Sequence, residues 1–161
     1  MMRARYPKLN SPGFVPRSFE RLFQRWRLAS VADPQELMGT RGRYLLLLSV
    51  RASRIKVGAI GSLPFASGLY AYVGSACGRS ITLGHRLARH MREKKVRRWH
   101  IDYLTTASAV TVLGAYWSAD PTMTETHLAV RCAERFPVIP RFGNTDARGG
   151  APGHLFFIRP Q

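Results

Sequence analysis

The spacing of apolar residues along the chain changes period several times, and each change marks an expected element. Phe19, Leu22, Phe23 and Trp26 recur at helical intervals behind Ser18, which predicts a capped helix through Leu28 with Arg21, Arg25 and Arg27 on its other side. Ahead of it, Pro7, Pro12, Gly13 and Pro16 give residues 1–16 the composition of an extended lead, and behind it Asp33-Pro34 starts a turn. From Gly42 the period shortens to that of strands. Tyr44–Val50 is almost continuously apolar, as expected of a central strand covered on both faces. Arg51-Ala-Ser reads as a turn, Ile55–Ile60 as an alternating hairpin partner, Gly61 to Ser67 as a loop, and Gly68–Gly74 as a third, aromatic-rich strand. A helix over about 80–95 follows, with Leu83, Leu87 and Met91 on its buried face. Trp99–Ala107 predicts a second short helix, Val110–Trp117 a strand, and Asp120-Pro121-Thr122 the cap of a helix running to about Phe136. Pro137 and Pro140 mark an irregular bridge, Gly143–Gly153 a turn-rich loop, and Leu155–Ile158 a closing strand.

Three strands in succession without a crossover helix exclude a doubly wound sheet. The expected architecture is α+β, a small mostly antiparallel sheet flanked by helices, over residues 39–161. Residues 1–38 are expected to be a basic extension with a short docked helix. At 161 residues the chain has room for one ordinary domain with a real core. It lacks the run of about 18 apolar residues that spans a membrane, and its basic start has no apolar segment resembling a secretory signal. Cys77 and Cys132 fit no zinc spacing and read as two reduced thiols of a cytoplasmic protein.

Charge changes the picture more. The formal net charge is +16, and it is unevenly placed: residues 39–100 carry thirteen Lys or Arg against one Glu, whereas residues 101–161 carry five of each sign. A field concentrated in this way attracts phosphates and makes binding steeply salt-dependent, which points to DNA, with RNA as the alternative. Without a long amphipathic helix, a membrane surface is not an expected partner.

The same segment carries the candidate chemistry. Gly42-Arg43-Tyr44 and Tyr72-Val73-Gly74-Ser75 sit on successive long strands; Arg86 and His90 follow on a helix, then His100, and much later Glu125 near the start of another helix. This order resembles the GIY-YIG nuclease superfamily, whose domain opens with Gly-x-Tyr and Tyr-Ile/Val-Gly clusters, followed by an arginine-bearing helix and a metal-binding glutamate. The likeness covers roughly residues 40–158. The family's two clusters usually lie much closer together than Tyr44 and Tyr72, which 27 residues separate. A hairpin arm, Ile55–Phe65, fills the gap. This longer form is similar to a branch found alone or fused to endonuclease-III-type glycosylases, which often carries His-Ile-Asp-Tyr-Leu (here His100–Leu104) and a terminal Asp with His-Leu-Phe (here Asp146 and His154–Phe156). That branch often has cysteines near the Asp, where this chain has Ala147 and Gly149.

The resemblance implies hydrolysis of a phosphodiester. Glu125 would hold one divalent cation, Mg²⁺ or Mn²⁺, and Arg86 would clamp the scissile phosphate. Tyr44 or Tyr72 would orient or deprotonate the water, its pKa lowered by the surrounding cations, while His90 and His100 would relay protons. Gly42 and Gly74 are the motif glycines, the latter letting backbone approach the substrate. Arg43, Arg89, Arg92, Lys94, Lys95, Arg97 and Arg98 would grip flanking phosphates. Plainer readings stand beside these. The tyrosines fit as ordinary strand aromatics, Glu125 as a partner of its helix dipole, Asp102 as an ion-pair partner of the arginines, and His127 and His154 as core or surface residues. Trp99 reads as a core residue or as a platform for an unpaired base. Besides a nucleoid-associated nuclease, two readings are open: a non-catalytic nucleic-acid-binding module, and an interaction domain for a repair protein.

Overall fold

Strand β2 (Gly42–Val50) is the axis of the fold, because Leu45, Leu46, Leu47 and Leu48 are each fully buried and must be covered from both sides. The computed structural model describes residues 15–31, 33–143 and 150–160; most of the expected N-terminal lead, and Asp146, Ala147 and Gly149 in the late loop, lie outside them. Strands β5 (Gly68–Ala76) and β6 (Val110–Ser118) flank β2 antiparallel, each along its length. Among the described residues the main sheet has six strands, in the order β1-β6-β2-β5-β8-β7, where β1 is Ala29–Val31, β7 Val138–Ile139 and β8 Leu155–Pro160. Every pairing is antiparallel, so the α+β expectation holds.

The period of two along β2 sorts its side chains between two cores. Leu45 and Leu47 pack with helix α1 (Arg17–Arg25) and helix α4 (Glu125–Ala133), through Leu22, Phe23, Leu128 and Cys132. Tyr44, Leu46 and Leu48 pack with helices α2 (Leu83–His90) and α3 (His100–Thr105), through Leu83, Leu87, Ile101 and Leu104. Truncating any one of these leucines to alanine removes a core contact worth about 2–5 kcal/mol.

Several expected boundaries move, each for a local reason. The segment after β2 does not fold back onto it, because both edges of β2 are taken by longer apolar strands. Instead β3 (Ser53–Val57) pairs with β4 (Gly61–Phe65) in a separate two-stranded ribbon, and Ile55, Val57 and Phe65 bury against the α2–α3 face. The expected loop at Gly61 to Ser67 is therefore largely strand. Pro64 is tolerated there because a two-stranded ribbon has no inner strand whose amide it would leave unbonded. Helix α2 stops at His90, well short of residue 95. Lys95 turns back and its ammonium bonds the carbonyls of Arg89 and His90, capping the helix end. Helix α4 begins five residues after Asp120: Thr124 is its N-cap, accepting from the His127 amide, while Asp120 closes a turn onto Thr122. Both cysteines are free, Cys77 exposed and Cys132 buried. No helix among the described residues is long and apolar enough to cross a membrane.

The expected N-terminal helix is present, but Pro16 rather than Ser18 precedes it, without a side-chain cap. It docks on the sheet through Leu22 and Phe23, and the chain then adds β1 to the edge of β6. Its end is closed by paired bonds, Leu28 amide to Phe23 carbonyl at 3.0 Å and Arg27 amide to Gln24 carbonyl at 2.9 Å. That arrangement calls for a left-handed residue, usually glycine, and here Arg27 takes it with φ 60°. Holding a side chain in this region costs about 1 kcal/mol. Replacing Arg27 with Gly should therefore raise Tm by about 1–3 °C in thermal denaturation followed by circular dichroism; a lower Tm would show that the arginine side chain stabilises the fold by more than its backbone costs.

Candidate functional site

The β2–β5 register builds the site. Tyr44 lies opposite Gly74 and Leu46 opposite Tyr72, so both tyrosines fall on the face that carries α2. Arg86 and His90, one helical turn apart on α2, share the face turned toward them. Glu125 arrives from the first residue of α4. These five side chains, with Gly74, Ser75, Trp99, Ile101 and Gly143, line one pocket of about 190 Å³. His100 is not part of the lining. Its Nδ1 accepts the Gly143 amide at 2.9 Å, so it holds the segment that forms one wall. Burial lowers its pKa, in keeping with a neutral ring.

Tyr44 Oη and His90 Nε2 are 2.6 Å apart, both buried. The expectation that cations would acidify the tyrosines is overturned. Burial pushes Tyr44 well above its ordinary pKa and Tyr72 and Glu125 add to the rise, with Arg86 opposing too weakly. Tyr72 is raised too, by burial first and then by Glu125. Burial, with the charge of Lys95, lowers His90 to about 3. At neutral pH the pair is therefore uncharged. His90 Nδ1 has no partner. The pair has two arrangements: Tyr44 donating to Nε2 with an unbonded Nδ1–H, or Nε2–H donating to Tyr44 with the phenol proton directed into the pocket.

Glu125 faces the pocket from the other side. Burial would raise its pKa, but the neighbouring His154 and Ser75 side chains and the charge of Arg86 outweigh it, and the carboxylate stays ionised below its ordinary value. His154 Nδ1 lies 3.1 Å from Glu125 Oε1. His154, read from sequence as a core or surface residue, is thus a neighbour of the site; no spacing signals it, and only the terminal His-Leu-Phe of the resemblance marks it. Among the described residues no three His, Cys, Asp or Glu side chains gather as a metal-ligand set. A lone, one-third exposed carboxylate fits a hard cation that keeps most of its waters, and does not fit zinc.

The basic residues divide into two groups. Asp102, fully buried, takes Arg89 at 2.7 Å and the backbone amides of Arg98 and Trp99 at 2.9 and 3.1 Å, with Lys95 at 3.7 Å. Burial alone would raise its pKa, but these donors hold it below the usual carboxylate value. The ion-pair reading of Asp102 is the one realised. Arg89 also bonds the Val96 carbonyl, Arg97 bonds Thr106, and the Lys95 side chain is 2% exposed. Lys95 therefore cannot face a phosphate as expected and Arg89 is held by Asp102, whereas Arg97 bonds Thr106 through Nε and stays exposed. Arg92, Lys94 and Arg98 are exposed, while Arg43 is half-buried with its Nε unbonded. Arg86 alone of the arginines lines the pocket. It makes no ion pair with a described carboxylate, and its guanidinium lies 4.3 Å from the centre of the Trp99 ring, beside that of Arg89 at 4.6 Å. Trp99 is 36% exposed, which rules out the core reading.

The motif glycines are explained by packing. A Cβ on Gly74 would overlap the Tyr44 hydroxyl, and one on Gly42 would overlap the Ser118 carbonyl. Gly74 thus makes room for Tyr44.

No curated protein and no solved structure is similar enough to the chain to count as a match. Residues 43–161, nearly three quarters of the sequence and every side chain of the pocket, match a family model, and the chain belongs to the family described as domain of unknown function DUF123.

Proposed function

We propose that this chain is a metal-dependent phosphodiesterase of the GIY-YIG type that cuts or processes DNA, acting in the cytoplasm on the nucleoid. The observation that carries the reading is the meeting of Tyr44, Tyr72, Arg86, His90 and Glu125, from two strands and two helices, in one pocket. Phosphodiester hydrolysis needs a grip on the phosphate, an ordered water and compensation of the charge that develops on oxygen. The side chains divide along those lines. Arg86, free of carboxylate partners among the described residues and steadied against Trp99, presents a planar fork to two phosphate oxygens. Tyr44 and Tyr72, kept protonated by burial, order water or phosphate through their hydroxyls instead of removing a proton. His90 fixes the Tyr44 hydroxyl. Mg²⁺ or Mn²⁺ bound at Glu125 would supply Lewis acidity and lower the pKa of water. Arg92, Lys94 and Arg98 reach flanking phosphates, and the exposed part of Trp99 offers a surface for an unpaired base.

Two measurements test the reading. In plasmid nicking with Mg²⁺ or Mn²⁺, Arg86→Gln and Glu125→Gln should each lower the rate by about 100- to 1,000-fold while leaving the circular dichroism spectrum unchanged. Steeply salt-dependent DNA binding by a wild-type protein that never nicks would reduce it to a non-catalytic binding module. The second concerns pH. His90 titrates near 3 in the fold against 6.5 unfolded, so its contribution to stability is complete above pH 6.5 and is lost as pH falls toward 3. Between pH 7 and 5 this amounts to about 2 kcal/mol in urea denaturation, and His90→Gln should lose that part of the acid sensitivity. An equal acid loss in the variant would mean that His90 is already protonated and paired.

A further inference from the structure

A second, larger hollow of about 580 Å³ opens between the end of α1, the turn after β6 and the outer side of α4. Arg25, Arg27 and Arg131 converge on it with His127 and Trp26, and among the described residues none of the three arginines has a carboxylate within ion-pair distance. Asp120 is the one acidic group of the lining, and its carboxylate is occupied by the Thr122 amide at 2.9 Å and hydroxyl at 2.6 Å. Arg27 supplies a second and independent observation: it stands at the left-handed position where a helix end favours glycine. With no hydrogen bond or ion pair to a described side chain, the Arg27 guanidinium is presented to the hollow.

The hollow and the Tyr44–Glu125 pocket lie on either side of helix α4. Glu125 and His127 are two positions apart on α4, about 200° round the helix, so α4 offers the carboxylate to the pocket while His127 and Arg131 face the hollow. Between the two sites stands Arg43, paired across the sheet with Ser75, which neighbours Glu125, and with Ser118, whose hydroxyl accepts from the Asp120 amide at 3.1 Å. Asp120 in turn feels the charges of both Arg27 and Arg43. A line of cations thus leads from the pocket round the end of the sheet to the hollow.

We infer that the hollow is a second phosphate-binding site, in which Arg25, Arg27 and Arg131 hold the sugar–phosphate backbone of the nucleic acid whose scissile phosphate enters the pocket. The identity of the ligand rests on the phosphodiesterase reading; the site itself rests on the unpaired arginines and the strained backbone. Its consequence is a footprint longer than the pocket, spanning both faces of the sheet.

The test is fluorescence anisotropy with a labelled 20-nucleotide single strand and its duplex, titrated over a range of salt, with inorganic phosphate as a competitor. Arg27→Gly and Arg131→Gln should each weaken binding about 3- to 10-fold and make the dependence of log Kd on log salt shallower by about one. Arg27→Gly should do so with Tm unchanged or raised, which separates lost contact from lost folding. If Arg86→Gln weakens binding while both hollow variants match the wild type in affinity and salt slope, the second site is overturned and the pocket stands. If the hollow variants weaken binding but the wild-type protein never cuts DNA with Mg²⁺ or Mn²⁺, the second site stands and the phosphodiesterase reading falls. Loss of phosphate competition with oligonucleotide affinity intact overturns the assignment to a nucleic-acid backbone.

Discussion

The register between β2 and β5 is the constraint on which the site depends. Leu45 to Leu48 are buried without exception, so a slip of one residue would turn Tyr44 and Leu46 to the opposite face and exchange the contents of the two cores. Burial of that strand therefore fixes, without any reference to catalysis, that Tyr44 sits opposite Gly74 and two positions along from Tyr72's partner. Gly74 then has to be glycine because the tyrosine ring occupies the space of its Cβ. The apparent motif is the visible part of a packing solution that also places two tyrosines in the lining of a pocket.

The long strands β2, β5 and β6 were the most legible part of the sequence, since a central strand buried on both faces has a hydrophobic signature that little else shares, whereas the short edge strands β1 and β7 carry no such signature and were not expected. The elements misread were those governed by a single side chain acting on a distant or neighbouring backbone. Nothing in the run from Met91 to Lys95 announces that Lys95 will bend back onto helix carbonyls, and charge density alone suggested one more turn of helix. Asp120-Pro121 carries a good capping signature, yet Thr124 caps the helix and Asp120 a turn. The site was legible as a list of residue types in order, and its convergence follows from strand register and helix phase. Its electrostatics were not legible. Counting cations predicts acidified tyrosines, whereas desolvation of a fully enclosed phenol outweighs one guanidinium nearby.

The same reasoning explains why so few of the many basic residues are available to a ligand in the pocket. A chain with 25 Lys and Arg and 9 Asp and Glu cannot pair its cations, so the placement of each carboxylate decides which cations are structural. Asp102 takes Arg89 and two backbone amides on Oδ2, with Lys95 at ion-pair distance from Oδ1, and in engaging it they shape the segment between α2 and α3. Glu125 is engaged by His154 and Ser75, neither of them a permanent cation. Arg86 lies among these groups and is claimed by none. A guanidinium half-removed from water raises the free energy of the folded state, and the Trp99 face and the more distant charge of Glu125, with which it makes no direct ion pair, recover only part of that. The remainder is a standing preference for an anion at that point, and a phosphate arriving there replaces a missing partner instead of displacing an existing one.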